Sequence, residues 1–274
     1  MKLTFNGTAA AEGFPALFCE CEHCRKARTL GGKNIRTRSS CLIDEEYLID
    51  FPPDTYMHVL HGNLRLSRVR HVIVTHSHSD HFQPHDLIMK IKPYAYPEEG
   101  EVLYVYGNDK VYERYRQAGC DSEDSKEFLK YVHVYPGKLF KAGEAEVLPL
   151  KADHGNANEI CHIYVISLKG KKLLYGHDTG YFPEETWEAL KEFKLDGVIL
   201  DCTSGGINQD KGHMGIEADA RVKERLIKQG SADENTIFIV THFSHNVGPL
   251  YDDMVQLAEK YNFIVAYDGM TIEI

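Results

Sequence analysis

The chain has 274 residues, 43% hydrophobic and 26% charged, with a formal net charge of -10 at pH 7. That length suits one large domain or two small ones and can bury a substantial core. The acidic balance argues against a broad non-specific nucleic-acid surface, which needs clustered Lys and Arg to displace counterions from phosphates. It leaves room for a small anionic substrate, because bound cations override the global field locally.

In chain order, "KLTFNG" opens with a strand pattern, and "MKLTFNGTAAAEG" lacks the apolar stretch of a signal peptide. The segment "FCECEHCRKAR" then crowds Cys19, Cys21 and Cys24 together. Seven cysteines make an odd count for a disulfide framework, and the cytoplasm is the expected compartment. Strands follow at "SSCLID", "EYLIDF" and "HVIVTH", and "PHDLIMKIK" reads as a helix with Pro at its first turn. Next come strand "EVLYVYG", helix "NDKVYERYRQAG" and strand "YVHVYP"; this charged region, 97–131, is a candidate insertion or lid in an otherwise single domain, 1–274. The strands "AEVLPLKAD", "CHIYVISL" and "KKLLYGHD" precede helix "PEETWEALKEF", strand "GVILDCT" and helix "GIEADARVKERLIKQG". Strand "TIFIVTH", helix "PLYDDMVQLAEKYN" and strand "NFIVAYDG" close the chain. Strands come in succession early and alternate with helices later, which fits two packed sheets with helices outside. No apolar run reaches the length that spans a bilayer.

The stretch "THSHSDH" places His76, His78, Asp80 and His81 directly after an apolar strand. Extended backbone has a side-chain period of two, so His76 and His78 project on one side, and a turn at Ser79 brings Asp80 and His81 to a second position. Imidazole and carboxylate are ligands for first-row metals. The segment "HVIVTHSHSDHFQPHDLIMKI" also echoes "IFIVTHFSHNVGPLYDDMVQL": apolar strand, Thr-His, His-containing loop, Pro, helix. Two such loops could face each other across a pseudo-symmetric sandwich.

The H-x-H-x-D-H run after a hydrophobic strand resembles the signature of the metallo-β-lactamase superfamily. That resemblance implies a four-layer αββα sandwich of two mixed β-sheets with helices outside and a two-metal site at one edge. His154 in "LKADHG", Asp178 in "LYGHDTG" and His242 in "VTHFSHN" resemble the family's remaining ligands, in the family's order. Carried over, one ion takes His76, His78 and His154; the other takes Asp80, His81 and His242; Asp178 bridges both. Histidine and carboxylate ligands suit zinc, manganese or iron.

Three cysteines at C-x-C-x2-C spacing can fill three corners of a tetrahedral zinc and need one more ligand. His245, three residues past His242, can point away from the histidine site and complete it; His23 is the rival. Such a closed site is structural. N-terminal cysteines plus a histidine just after the last active-site histidine resemble the cyclic phosphodiesterase group of the carbon–phosphorus lyase pathway, which is akin to ribonuclease Z. The segment "GTAAAEGFPALFCECEHC" resembles the pyrroloquinoline quinone biosynthesis B group equally well, although members of that group generally lack an intact H-x-H-x-D-H motif.

The resemblance implies a metal-dependent phosphodiesterase that hydrolyses a small cyclic or nucleotide-like phosphodiester through a hydroxide activated by two metals. The catalytic residues expected are Asp80 and His213, the latter in "DKGHMGIEADARV" just ahead of a helix. The alternatives are ribonuclease Z-like RNA processing, ester or thioester hydrolysis, and a non-catalytic metal-binding protein. A membrane or a large nucleic acid is not expected as a partner, and a homodimer is compatible with the sequence. Arg36 and Arg38 are candidate phosphate contacts, and His71, His85 and His177 receive no role.

Overall fold

The computed structural model describes residues 1–98, 100–155, 157–246 and 250–274. The first sheet comprises β1 (Lys2–Gly7), β2 (Ser40–Ile43), β3 (Tyr47–Ile49), β4 (His71–Ile73), β5 (Leu103–Gly107) and β6 (Leu129–His133). The second comprises β7 (Phe140–Ala142), β8 (Ala145–Lys151), β9 (His162–Leu168), β10 (Lys171–Gly176), β11 (Gly197–Asp201), β12 (Ile237–Thr241) and β13 (Ile264–Val265). A last strand, β14 (Thr271–Glu273), returns to the first sheet, so among the described residues both sheets have seven strands, ordered 14-1-2-3-4-5-6 and 13-12-11-10-9-8-7.

Each sheet is antiparallel on one side and parallel on the other. Pairing changes at β3 in the first sheet and at β10 in the second. The helices are α1 (Glu22–Leu30), α2 (Thr55–His61), α3 (Asp109–Gln117), α4 (Glu184–Leu190), α5 (Ile216–Lys228) and α6 (Tyr251–Glu259).

The apolar runs explain the layering. In β11, "GVILD", Ile199 faces the inter-sheet core with Leu3, Phe5, Ile49, Ile73, Ile166 and Ile239. Its neighbours Val198 and Leu200 pack the other way, against Trp187, Leu226 and Met254 from α4, α5 and α6. The first sheet mirrors this, with Val72 and Val105 packed against Val111 and Tyr115 of α3. A parallel strand covered on both faces must be apolar throughout, hence the continuous Val-Ile-Leu runs. Burying each such side chain contributes about 1.5–3 kcal/mol. The αββα sandwich of two mixed sheets is the architecture of the metallo-β-lactamase fold.

Several elements differ from the sequence reading. "PHDLIMKIK" forms 3-10 turns over Pro84–Lys90 rather than an α-helix, and the Lys92–Pro93 bond stops it from continuing. Helices α1 and α2 and the short strands β7 and β14 carry no clear apolar period and were not foreseen. Residues 97–131 contain β5, α3 and the start of β6, so they contribute two neighbouring strands at one edge of the first sheet. The two echoing units do lie in opposite sheets. However, strand order matches β4 with β11 and β5 with β12, so the Thr-His units are not strict counterparts. The echo's second proline, Pro249, lies outside the described residues. Among the described residues, no helix is long and apolar enough to cross a membrane.

Candidate active site

The chain leaves β4 at Ile73 and crosses the end of the sandwich as an irregular loop carrying the H-x-H-x-D-H motif. Contacts from the second sheet hold its first residues: the Tyr164 hydroxyl donates to the Val74 carbonyl (2.6 Å) and the His162 amide to the Thr75 carbonyl (3.0 Å). The loop brings donor atoms of His76 and His78 together with those of His154, after β8, and Asp178, after β10. Donor atoms of Asp80 and His81 meet Asp178 and His242, after β12. These are the residues that the sequence reading grouped together, and Asp178 belongs to both groups.

Around Asp178 Oδ2 stand Nε2 of His81 at 2.9 Å, of His76 at 3.2 Å and of His242 at 3.8 Å. His81 Nε2 is also 3.1 Å from Asp80 Oδ2, and His154 Nε2 is 3.3 Å from His78 Nδ1. Nε2 of His76, His81 and His242 and Oδ1 of Asp178 are buried and, among the described residues, face only one another and the neighbouring His and Asp side chains, with no well-aligned hydrogen bond. Buried polar atoms left unpaired cost about 1–3 kcal/mol each, so such convergence calls for a cation. Ligands held about 2.0–2.1 Å from one tetrahedral zinc lie about 3.3 Å apart, which these spacings bracket. The donor set therefore fits divalent metal ions.

Four of the five histidines are oriented from behind. The Nδ1–H groups meet Thr75 Oγ1 (His76, 3.0 Å), Asp50 Oδ2 (His81, 2.7 Å), the Gly212 carbonyl (His154, 3.0 Å) and Thr203 Oγ1 (His242, 2.7 Å). Each bond fixes the tautomer that turns an Nε2 lone pair inward. Thr75 and Thr203 in turn donate to the fully buried carboxylates of Asp50 and Asp201. The Thr-His echo is only half used: Thr75 serves His76, whereas Thr241 Oγ1 is buried without a hydrogen-bond partner among the described residues and Thr203 serves His242.

Burial alone would raise the pKa of Asp50, but His81 and His177 outweigh it and hold the carboxylate well below its usual range. Burial would likewise lower that of His81, yet Asp80, Asp50 and Asp178 push it well above the ordinary imidazole value.

His213 lies beside this cluster, its ring 4.9 Å from that of His154. Its Nδ1 is 3.1 Å from Asp201 Oδ2 and 3.2 Å from Asp178 Oδ1. Burial opposes its charge, but the Asp201 hydrogen bond prevails and raises its pKa to about 9. Among the described residues Nε2 has no protein partner, and the side chain keeps 29% of its surface exposed. Asp153 ties the two loops together, its Oδ2 accepting from the Gly212 amide at 3.0 Å.

Asp50, Asp201 and Thr203 escaped the sequence reading. The available signal was positional: "YLID", "YGHD" and "VILD" each bring an aspartate to the end of an apolar strand. His177, given no role, donates to Asp50 at 3.0 Å. Asp50, Asp178 and His242 also adopt left-handed φ angles of 61°, 53° and 65°. Strain of about 1–3 kcal/mol per residue clusters where function fixes the backbone.

The cysteines form a second site. Cys21 caps α1, its Sγ accepting from the Cys24 amide at 3.5 Å, so the thiols crowd a helix start rather than a free loop. His245 Nδ1 is 3.5 Å from Cys24 Sγ and 3.7 Å from Cys21 Sγ. Sulfur and nitrogen on one tetrahedral zinc lie about 3.6 Å apart, so this set also fits the ion. Cys19 belongs to the same cluster, while His23 is exposed on α1 outside it. The Cys24 amide and His245 lower the Cys21 pKa to about 6, whereas burial raises that of Cys24 to about 11. Replacing Cys21 with serine is expected to lower zinc content by about one ion per chain and to lower the melting temperature, since structural zinc binding is coupled to folding. Elemental analysis and calorimetry check this; unchanged values would remove zinc from this site.

The arginines do not line the site. Arg36 is buried, donating to Thr8 Oγ1 and the Ala266 carbonyl with its guanidinium 4.3 Å from the Phe243 ring centre. Arg38 forms a two-oxygen bridge to Asp54 at 2.9 and 3.1 Å. His71 stacks on Tyr47 in the core, and His85 is exposed.

An αββα sandwich bearing clustered histidines and a shared aspartate at one edge defines a metallohydrolase-type protein. Residues 46–243 match the sequence profile described as "Beta-lactamase superfamily domain", and the chain belongs to that family. No curated protein matches in sequence. Among solved structures it is similar to a diphosphatase from the PhnP family (20% identity, TM-score 0.77, covering 100% of this chain and 97% of that one). It is also similar to Zn2+-bound PqqB from Methylobacterium extorquens (17%, 0.76, all of both chains). A third is the short form of human tRNase Z, ELAC1 (18%, 0.68, 100% of this chain and 99% of that one). At these identities the likeness establishes the fold.

Proposed function

We propose that the protein is a metal-dependent phosphodiesterase acting on a small cyclic or nucleotide-like phosphodiester. The carrying observation is the convergence of the donor atoms of His76, His78, Asp80, His81, His154 and His242 on Asp178, with His213, backed by Asp201, at their side. Two bound ions would supply charge neutralisation at a phosphoryl oxygen and a water acidic enough to ionise near neutral pH.

The protein's own groups do the rest. Asp178 holds both ligand sets at a fixed separation, and Asp80 joins one of them. Asp201 anchors His213 through Nδ1, leaving Nε2 to carry a proton towards a departing alkoxide. The net charge of -10 disfavours a long RNA, whose backbone would need clustered cations. The diphosphatase and tRNase Z neighbours support phosphoryl chemistry, whereas the PqqB neighbour motivates a non-catalytic alternative.

Purified protein loaded with Mn2+ or Zn2+ is expected to hydrolyse cyclic ribose phosphates or linear dinucleotides in preference to carboxyl esters and precursor tRNA. Chelator treatment should abolish turnover. A preference for precursor tRNA would move the assignment to RNA processing, and silence on every substrate would favour the binding role.

A further inference from the structure

We propose that Glu159 is a positioning residue for the His78–His154 half of the metal site. The inference rests on the two-metal reading above. His78 differs from the other four histidines: among the described residues its ring nitrogens meet no carboxylate, hydroxyl or carbonyl, only His154 Nε2 at 3.3 Å. It is also exposed, like Ser79 beside it. With no such partner among the described residues, the side chain is aimed through its backbone.

That backbone is clamped one residue earlier. Glu159 Oε1 accepts from the Ser77 amide at 2.7 Å, and Oε2 accepts from the Ser77 hydroxyl at 2.6 Å. The Arg114 guanidinium, from α3, donates to the Ser77 carbonyl. Every polar group of the residue between His76 and His78 is thus held from outside its own loop.

Glu159 is itself well placed for this. It lies in the β8–β9 connection five residues after His154, so one short segment bears both a ligand and the clamp on its partner. Asn108 Nδ2 donates to Glu159 Oε1 (2.8 Å) and to the Ile160 carbonyl (2.9 Å), while its Oδ1 caps α3 at the Lys110 and Val111 amides. The carboxylate therefore joins the first sheet's ligand loop, the second sheet's His154 segment and the start of α3. The other ion's ligands do not use it: His81 is set by Asp50 and His242 by Thr203. Loss of the clamp should free His78 while leaving Asp80, His81 and His242 in place.

The test titrates Mn2+ into protein whose histidine site has been stripped and whose cysteine site keeps its zinc. Two binding steps are followed by calorimetry and electron paramagnetic resonance. Glu159→Ala is expected to weaken one step by about 10-fold, the lower end for loss of an outer partner, with the other unchanged. The weakened step should be the one that His78→Ala removes and His81→Ala spares. Glu159→Gln should restore most of the affinity, because its oxygen can still accept from the Ser77 amide and its amide can donate to the Ser77 hydroxyl. The ratio of the two affinities, unlike either alone, does not respond to general destabilisation. Equal weakening of both steps, no change in either, or failure of the glutamine to restore would overturn the role of Glu159. Absence of a second binding step in the wild type would instead overturn the two-metal reading.

Discussion

Asp178→Asn is expected to reduce phosphodiester turnover to about one-thousandth or less and to strip or loosen both ions at the histidine site. The residue contributes to both ligand sets, with Oδ2 between His76 and His81. Burial opposes its charge, but His242, His81 and His76 prevail and hold its pKa well below the carboxylate range. An amide in its place keeps the size and removes the charge that bridges the sets. Forfeiting about 4 kcal/mol of transition-state charge stabilisation corresponds to about 10³-fold in rate. Asparagine is the informative substitution because Asp178 has a left-handed φ of 53°, which Asn tolerates and Ala does not. Asp178→Ala should show the same loss with added destabilisation of about 1 kcal/mol. The zinc expected at Cys19, Cys21, Cys24 and His245 should persist in both variants, which elemental analysis can establish. An Asp178→Asn protein with full turnover and full metal content would refute the bridging role.

Much of this site was legible because metal ligation imposes dense, chemically costly residues on short stretches. His76, His78, Asp80 and His81 form a run that neither a core nor a surface would favour, and Cys19, Cys21 and Cys24 are conspicuous in the same way. Strands such as "GVILD" were equally plain, since a strand covered on both faces has to be apolar along its length. What orients the ligands was not legible. Asp50 meets His81 across 31 positions and His177 across 127, and no local pattern in "YLIDFPP" announces either bond. Thr203 was hidden for another reason: it follows β11, 39 positions before the His242 ring it meets on the neighbouring strand's loop. Helix α1 was missed because its inward face consists of Cys24 and Ala27, which carry a metal signal rather than an apolar period.

The role of His213 can be separated from that of the ligands by changing the leaving group. A sugar alkoxide is a strong base and departs slowly unless it receives a proton, whereas a nitrophenolate is a weak base and departs unaided. His213→Ala should therefore slow hydrolysis of a cyclic ribose phosphate by about 10²–10⁴-fold, with a much smaller loss on bis(p-nitrophenyl) phosphate. Metal content should not change, because Nδ1, the nitrogen nearest Asp178, is engaged with Asp201.

The pH profile supplies a second readout. Against the opposing effect of burial, Asp201 and Asp178 raise the His213 pKa to about 9, so the proton is present at neutral pH and is lost above that value. Cations bound beside Asp178 lower that pKa by repulsion, so the alkaline limb with the alkoxide substrate should fall at or below about 9. Asp201→Asn removes the anchoring charge and should shift the limb to lower pH, whereas His213→Gln should abolish it. Equal losses on both substrates with an unshifted limb would assign His213 to phosphate binding, and loss of an ion would make it a ligand.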